Sequence, residues 1–463
     1  MSGRVLFVAP SAYTLGGLAT WLDYLLPGLE RHGWTATLGL VEGPRHHRPD
    51  AYLAKHPYDR TVAIEARTGT ERERVSQAAK AIARVRPDLV LSVNIPDAVV
   101  GAAVRQRAGQ TVRGVVTCHG IQPDLYDDQR ALRGVADSVI CTNRLACRLA
   151  TVDAGWPAER VRHAWYGVAT EGVAAVGRDP GEPFTLAYVG RIEEEQKRTR
   201  DLVPIWTNVC RGLAADDQAG RLLIAGGGPD EPALRAAFDA AERAGDVTPG
   251  SVRWLGIVPP ERLHSDVWSQ ADAMLMPSCW ETGPITIPEA LAASVPVVSS
   301  RYIGSGLEGN LVDGKNVLLY DIGDVDAAAD AVLRLRDDAL RQRLVDGGHK
   351  LVRERLSQSV SIARWDAVLR NAMADPIEPK TLPKPAVSGR LDRLLPAAVS
   401  VPLRRAIRRV RPLRAGDPSG EWPHRRVASD RSLEDFWTMA AELDRPGAVS
   451  LVAGDSFAAE GAA

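Results

Sequence analysis

The sequence predicts an α/β protein with two doubly wound parallel-sheet domains and a basic C-terminal extension. Three observations predict it. Short β-branched apolar runs alternate with longer helical patterns. The series starts afresh after a Gly/Ala-rich break near residue 169. From residue 373 the composition shifts to proline and then arginine. Continuous apolar strands suit a parallel sheet covered on both faces. A chain of 463 residues is also too long for one hydrophobic core.

In the first domain, residues 1–170, the runs are Val5–Ala9, Ala36–Val41, Leu89–Val93, Gly114–Cys118 and Ser138–Cys141. Between the first two lies "GGLATWLDYLLPGLERHGW", where Leu18, Leu22, Leu25, Leu26 and Leu29 recur at helical spacing. Pro27 is expected to kink or shorten that helix. "ATEGVAAVGRDPGEP" reads as a linker. The second domain, residues 171–372, carries "FTLAYVG", "RLLIAGGG", "VRWLGIV", "AMLMP", "VPVVSS" and "NVLLYD" as strands, with helical sequence between them. Such βαβ series make doubly wound sheets. The extension, 373–463, opens on the extended, proline-rich "ADPIEPKTLPKPAVSG". Eight arginines stand against one aspartate between Arg390 and Arg414. Leu403, Ile407 and Val410 share a helical face there, Arg404, Arg405, Arg408 and Arg409 take the remaining surface, and Pro402 suits the first turn. "SLEDFWTMAAELD" is a further helix, ahead of an Ala/Gly tail.

The totals exclude several classes. A formal net charge of -1 argues against nucleic acid as a partner. Five cysteines without a CxxC pair point to reduced thiols and a cytoplasmic location. No uncharged apolar run approaches 18 residues, so no membrane-spanning helix is expected. No metal site is expected: "DVD" at 324–326 reads as a helix cap, and His46-His47 lacks partners at ligand spacing.

The chemistry-bearing residues cluster after strands. Glu281 and Glu289 flank the "AMLMP" strand's outgoing loop in "CWETGPITIPEALAASVPVV". Glu289 either closes a T-x-x-E capping box with Thr286 or accepts hydrogen bonds from a sugar diol. Glu281 is either a solvated loop charge or a second sugar contact. Arg191 follows a strand and Gly190, with Lys197 six positions on. Two cations at a strand's carboxyl end suit a diphosphate, and the alternative is a solvated charge run. Gly16-Gly17 lies in the first βα turn, where backbone N–H groups can meet an anion, although any tight turn could use it. His119 follows "GVVTC" and can hydrogen-bond a ligand or serve structure. "AGGGPDE" at 225–231 fails as G-x-G-x-x-G, because Glu231 holds the third glycine position.

Taken in order, "GG" at 16–17, "HG" at 119–120, "VGRIEEEQK" at 189–197, "IAGGGP" at 224–229, "ETGPITIPEALAASVPVV" and "GLEGNLVDGKNVLL" resemble a known family. It is the large retaining GT-B glycosyltransferase family with the E-x7-E motif (family 4, or group 1), over roughly residues 3–372. The resemblance implies two Rossmann-like domains facing a central cleft, the first on the acceptor side and the second on the donor side. It implies transfer of a sugar from a UDP- or GDP-linked donor, with retention and without a metal or other cofactor. The acceptor would be a glycan, a lipid-linked sugar or a small molecule. Glu289 would bind the ribose, Glu281 the donor sugar, and Arg191 and Lys197 the diphosphate. Gly17 would approach the phosphates and His119 the reacting carbon. Gly16, Gly190, Gly226, Gly283 and Ile285 complete the donor pocket that the resemblance implies.

This sequence departs from the family pattern at several points. Thr282-Gly283-Pro284 replaces Gly-Phe-Gly, Ser294 replaces a glycine, Tyr166-Gly167-Val168 stands for Asn-Gly-Val, and one extra residue separates Arg191 from Lys197. A nucleotide-sugar epimerase and a non-catalytic nucleotide-sugar-binding protein are alternatives on the same fold. The arginine-rich 390–414 stretch either lies on an anionic membrane or forms a basic surface helix or tail.

Overall fold

The computed structural model describes residues 3–14, 16–170, 182–383, 390–410, 421–427 and 429–445. The chain forms two compact units. The first sheet contains β1 (Arg4–Pro10), β2 (Thr35–Glu42), β3 (Thr61–Glu65), β4 (Leu89–Val93), β5 (Arg113–Cys118), β6 (Ser138–Cys141) and β7 (Val161–His163). Its order is β3-β2-β1-β4-β5-β6-β7, and all its pairs are parallel. The five strands read from sequence are present. The two that escaped are the edges. In β3 buried and exposed residues alternate, so no apolar run marks it, and β7 is only three residues long. The first helix runs through Pro27 to Arg31 and is not shortened there.

The second sheet contains β8 (Phe184–Val189), β9 (Gly220–Ala225), β10 (Val252–Gly256), β11 (Ala273–Met276), β12 (Val297–Ser300) and β13 (Leu318–Tyr320), in the order β10-β9-β8-β11-β12-β13. It too is fully parallel. Two apolar layers cover it. Phe184, Leu186 and Tyr188 point into one with Trp206 and Phe238, and Ala187 and Val189 into the other with Met274 and Met276. That two-sided burial is why the inner strands read as apolar runs, whereas the edge strand β10 is only partly buried and Arg253 interrupts it.

The units divide the chain elsewhere than at 170/171 and 372/373. From residue 362 the chain packs on the first unit again. Trp365 is fully buried, its ring centroid 4.9 Å from that of Trp21, and its Nε1 donates to the Trp165 carbonyl at 3.2 Å. Ile362 lies where a side chain on Gly28 would have to go. Trp34 Nε1 donates to Asp366 at 2.6 Å. Part of the extension is likewise folded into the first unit. Trp422 is fully buried among Leu6, Val8, Val41 and Ile64, and its Nε1 donates to the Glu42 carbonyl at 3.1 Å. In the second unit Asp444 accepts from the backbone N–H groups of Gly304, Gly306 and Leu307 at 2.7, 3.0 and 3.0 Å.

The helix Leu433–Leu443 matches the sequence reading. The helix Ala397–Val410 starts earlier than Pro402, which therefore sits inside it. Pro396 precedes the helix instead and accepts from Val399 and Ser400 through its carbonyl. Most of the linker, 171–181, and the Ala/Gly tail lie outside the described residues.

Candidate functional site

In each sheet the strand order reverses once, and ligands of open α/β sheets bind beyond the carboxyl ends of the strands at that point. In the second sheet the reversal falls between β8 and β11. The loops leaving those two strands carry Gly190, Arg191 and Lys197 on one side and Glu281, Gly283, Ile285 and Glu289 on the other. The topology therefore brings together the charged residues that the sequence singled out in this domain.

Their local geometry separates them. After β8 the chain forms a single turn of helix, Glu194–Lys197, stopped by Arg198 in the left-handed region at φ 47°. Cys279 ties the β11 loop to this turn: its N–H donates to the Gln196 carbonyl at 2.9 Å and its thiol to Glu195 at 3.0 Å. Glu281 is thereby brought in, 5% exposed rather than a solvated loop charge. It accepts from Lys197 Nζ, from Ser278 Oγ at 2.7 Å and from Gln196 Nε2 at 3.2 Å. Three donors on one carboxylate meet the cost of burying it. Lys197 is thus part of a buried ion pair, whereas Arg191 is exposed and pairs with Glu193 at 3.1 Å.

Glu289 lies in the first turn of the helix Thr286–Ala292. The capping box does not form: Ile285, not Thr286, is the N-cap, and no side chain caps the helix. The reason is positional, since Thr286 is already helical and its hydroxyl does not occupy the capping place. The Glu289 side chain has no hydrogen-bond partner among the described residues. It is half-buried, and desolvation pushes its carboxyl up to about 7.

The floor of the site is glycine for a steric reason. A Cβ on Gly226 would lie 1.8 Å from the Gly190 carbonyl oxygen, and one on Gly228 would lie 2.1 Å from that of Ile192. Gly190 N–H donates to Ala225 at 3.0 Å and Ile192 N–H to Gly227 at 3.1 Å, so the β8 and β9 loops run against each other as bare backbone. Tyr188 Oη donates to the Arg191 carbonyl at 2.6 Å and fixes the turn from below.

In the first unit, Gly16 is the N-cap of the helix Gly17–Arg31, directly after β1. His119 follows β5. Its Nε2 is 2.7 Å from Thr117 Oγ1, and its ring meets the edge of Trp21 with centroids 5.1 Å apart. Burial pushes its pKa down to about 3, so the imidazole is neutral. Gln196, Ser278 and Tyr188 were not singled out from sequence. Their types are unremarkable, and only the approach of two loops gives them a role.

Residues 183–338 match the profile of the family described as glycosyl transferases group 1. This stretch is similar to a group 1 glycosyltransferase domain over about a third of the chain. Among curated relatives, a D-inositol 3-phosphate glycosyltransferase of Corynebacterium urealyticum is 38% identical over 126 residues, 26% of this chain and 28% of the relative. An alpha-maltose-1-phosphate synthase of Mycolicibacterium smegmatis is 30% identical over 177 residues, 37% of this chain and 43% of the relative. The chain therefore spans less than half the length of these relatives. Two of the matching solved structures cover most of this chain. One is the Anabaena protein HepE in complex with UDP and glucose (TM-score 0.62, 16% identity), covering 80% of this chain and 99% of that one. The other is sucrose-phosphate synthase of Thermosynechococcus elongatus (TM-score 0.63, 18% identity), also covering 80% and 99%. At such identities the likeness establishes the fold, which is GT-B. The matched stretch holds Gly190, Arg191, Lys197, Gly226, Glu281, Gly283, Ile285 and Glu289, while Gly16, Gly17 and His119 belong to the first unit.

Proposed function

We propose that the protein transfers a sugar from a nucleoside diphosphate sugar to an acceptor hydroxyl, retaining the anomeric configuration and using no metal. One observation carries the reading: Glu289 is a desolvated carboxylate, uncommitted to its own helix, at the strand-order reversal of a group 1 domain. A cis-diol such as that of ribose offers two hydroxyl donors to such a carboxylate. Lys197, already oriented by Glu281, and Arg191, exposed and paired with Glu193 of its own loop, supply positive charge for the diphosphate. The bond between the anomeric carbon and the phosphate oxygen breaks, a bond to the acceptor oxygen forms, and the electron pair leaves on the nucleoside diphosphate. Charge neutralised by two side chains makes a metal unnecessary. Glu281 is proposed to meet the donor sugar. The resemblance extends the reading to Gly16, Gly17 and His119, whose neutral imidazole can exchange hydrogen bonds with the donor. The complexes of HepE with UDP favour a uridine donor.

A melting-temperature screen of UDP, GDP and ADP sugars tests the proposal. A true donor at ~100 times its Kd should add about 2.7 kcal/mol of stability. Glu289→Gln should weaken its binding by roughly ten- to a hundredfold, since hydrogen bonds to charged groups contribute about 1.5–3 kcal/mol. No shift with any nucleotide sugar overturns the reading. An inverted anomeric signal in the product, read by NMR, overturns retention alone.

A further inference from the structure

The helix Ala397–Val410 is turned the unexpected way round. Its buried side holds Ser400 and Val401, and the partly buried Arg405 pairs from there with the fully buried Glu73 of the helix Glu71–Val85. Its outer side carries Val399, Leu403 and Ile407, 49%, 41% and 45% exposed, at a four-residue spacing that makes one stripe. Leu394, on the preceding short helix Arg390–Leu394, is 78% exposed. A surface helix of a globular protein normally turns such a stripe inward, and a contiguous outward one marks an interaction face.

Beside it runs a groove of ≈ 590 Å³, bordered by Pro396 at the foot of the same helix. Val75, Val100 and Val104 line its apolar part, Arg72, Lys80 and Arg105 bring positive charge to it, and Glu71, which also lines it, is paired with Arg426. Arg72 also donates to the Leu395 carbonyl at 2.9 Å, which joins the groove to the stripe. Arg390 and Arg393, on the short helix just before Pro396, are exposed. Apolar side chains facing outward from this helix, with the exposed Arg390 and Arg393 on the helix before it and Arg72, Lys80 and Arg105 at the groove, make a face that is apolar and largely cationic.

We propose that this face of the first unit docks on an anionic lipid bilayer, with Leu394, Val399, Leu403 and Ile407 entering the headgroup boundary and Arg390 and Arg393 meeting lipid phosphates. Interfacial helices combine these two contributions. A second copy of the chain fits less well, because a two-fold contact would set the same arginines against each other. The proposal goes beyond the nucleotide-site reading and does not depend on it.

Co-sedimentation of the full chain with vesicles tests it. Binding is expected to phosphatidylcholine vesicles containing phosphatidylglycerol, weak binding to phosphatidylcholine alone, and release by salt. Leu403→Asp and Ile407→Asp should each lower partitioning on the order of tenfold, the cost of losing one buried apolar side chain. The double variant Arg390→Glu, Arg393→Glu should lower it by about tenfold or more. Because all four residues are exposed, melting temperature and any nucleotide-induced shift should stay unchanged, so failure here is distinguishable from failure of the donor site. Equal binding with and without anionic lipid, or unimpaired binding by the aspartate variants, overturns the proposal. So does a dimer that Ile407→Asp dissociates while wild type ignores vesicles.

Discussion

Glu289 is the residue whose environment makes the sharpest demand. Desolvation raises its carboxyl from 4.5 to about 7. The folded chain then holds a proton between those values that the unfolded chain has released. Stability from this group is therefore present below about pH 4.5 and declines as pH rises towards 7. Wild type should lose stability relative to Glu289→Gln across that window in urea denaturation at a series of pH values; a flat difference would place the carboxyl in water. Donor binding has the opposite sign. A diol that donates two hydrogen bonds selects the ionised carboxylate, so affinity should rise from pH 6 to pH 8 with a midpoint near 7. Titration calorimetry should show that rise in wild type and not in Glu289→Gln. Glu281 makes no such demand, because Lys197, Ser278 and Gln196 already hold it. Removing one partner of a buried pair costs about 3–5 kcal/mol, so Lys197→Met should destabilise the fold as well as weaken diphosphate binding.

At the scale of elements, the site depends on two loops that meet as backbone. Gly226→Ala drives a methyl group into the Gly190 carbonyl, and neither atom is the end of a flexible side chain. Gly227→Ala is the control: its methyl would approach Ile257 side-chain atoms no closer than 3.3 Å. Gly226→Ala should cost about 1–3 kcal/mol by denaturant unfolding and abolish the nucleotide-induced melting shift, while Gly227→Ala should change both little. Much of this was legible in the sequence. Every strand of the second sheet was visible: the inner ones because parallel strands buried on both faces are apolar runs, the partly exposed β10 through Val252, Trp254 and Leu255, and the glycines marked the turn between β9 and its helix. What could not be read was commitment. The T-x-x-E pattern at Thr286 and Glu289 looked like a cap, yet helix entry is decided by backbone angles at Ile285, and the cap is absent. The charge run 193–198 looked solvated, yet a cysteine two loops away brings Glu281 onto Lys197. Contacts between loops distant in sequence leave no local periodicity to read.

At the scale of the whole molecule, composition misled about the extension. Proline and arginine suggested an appendage, whereas Trp422 is buried in the core of the first unit, and the arginines near it are in ion pairs. Arg426 joins Glu71 to Asp97, Arg425 meets Asp124, and Arg431 spans Asp127 and Asp153. A run of basic residues reads alike whether its acids lie in solution or on helices remote in sequence. The two accounts differ measurably. Trp422 sits at 0% exposure among Leu6, Val8 and Val41 and gives its indole hydrogen to Glu42. Trp422→Ala should therefore destabilise the full chain by about 3–5 kcal/mol, through lost burial and a cavity that packed strands cannot close. Leu433→Ala, 53% exposed on the helix Leu433–Leu443, should stay within about 0.5 kcal/mol. If urea denaturation gave Trp422→Ala the same midpoint as wild type, residues 421–427 would be a dispensable tail. If the midpoint falls while the nucleotide-induced shift of the group 1 domain persists, the extension is a structural part of the first unit.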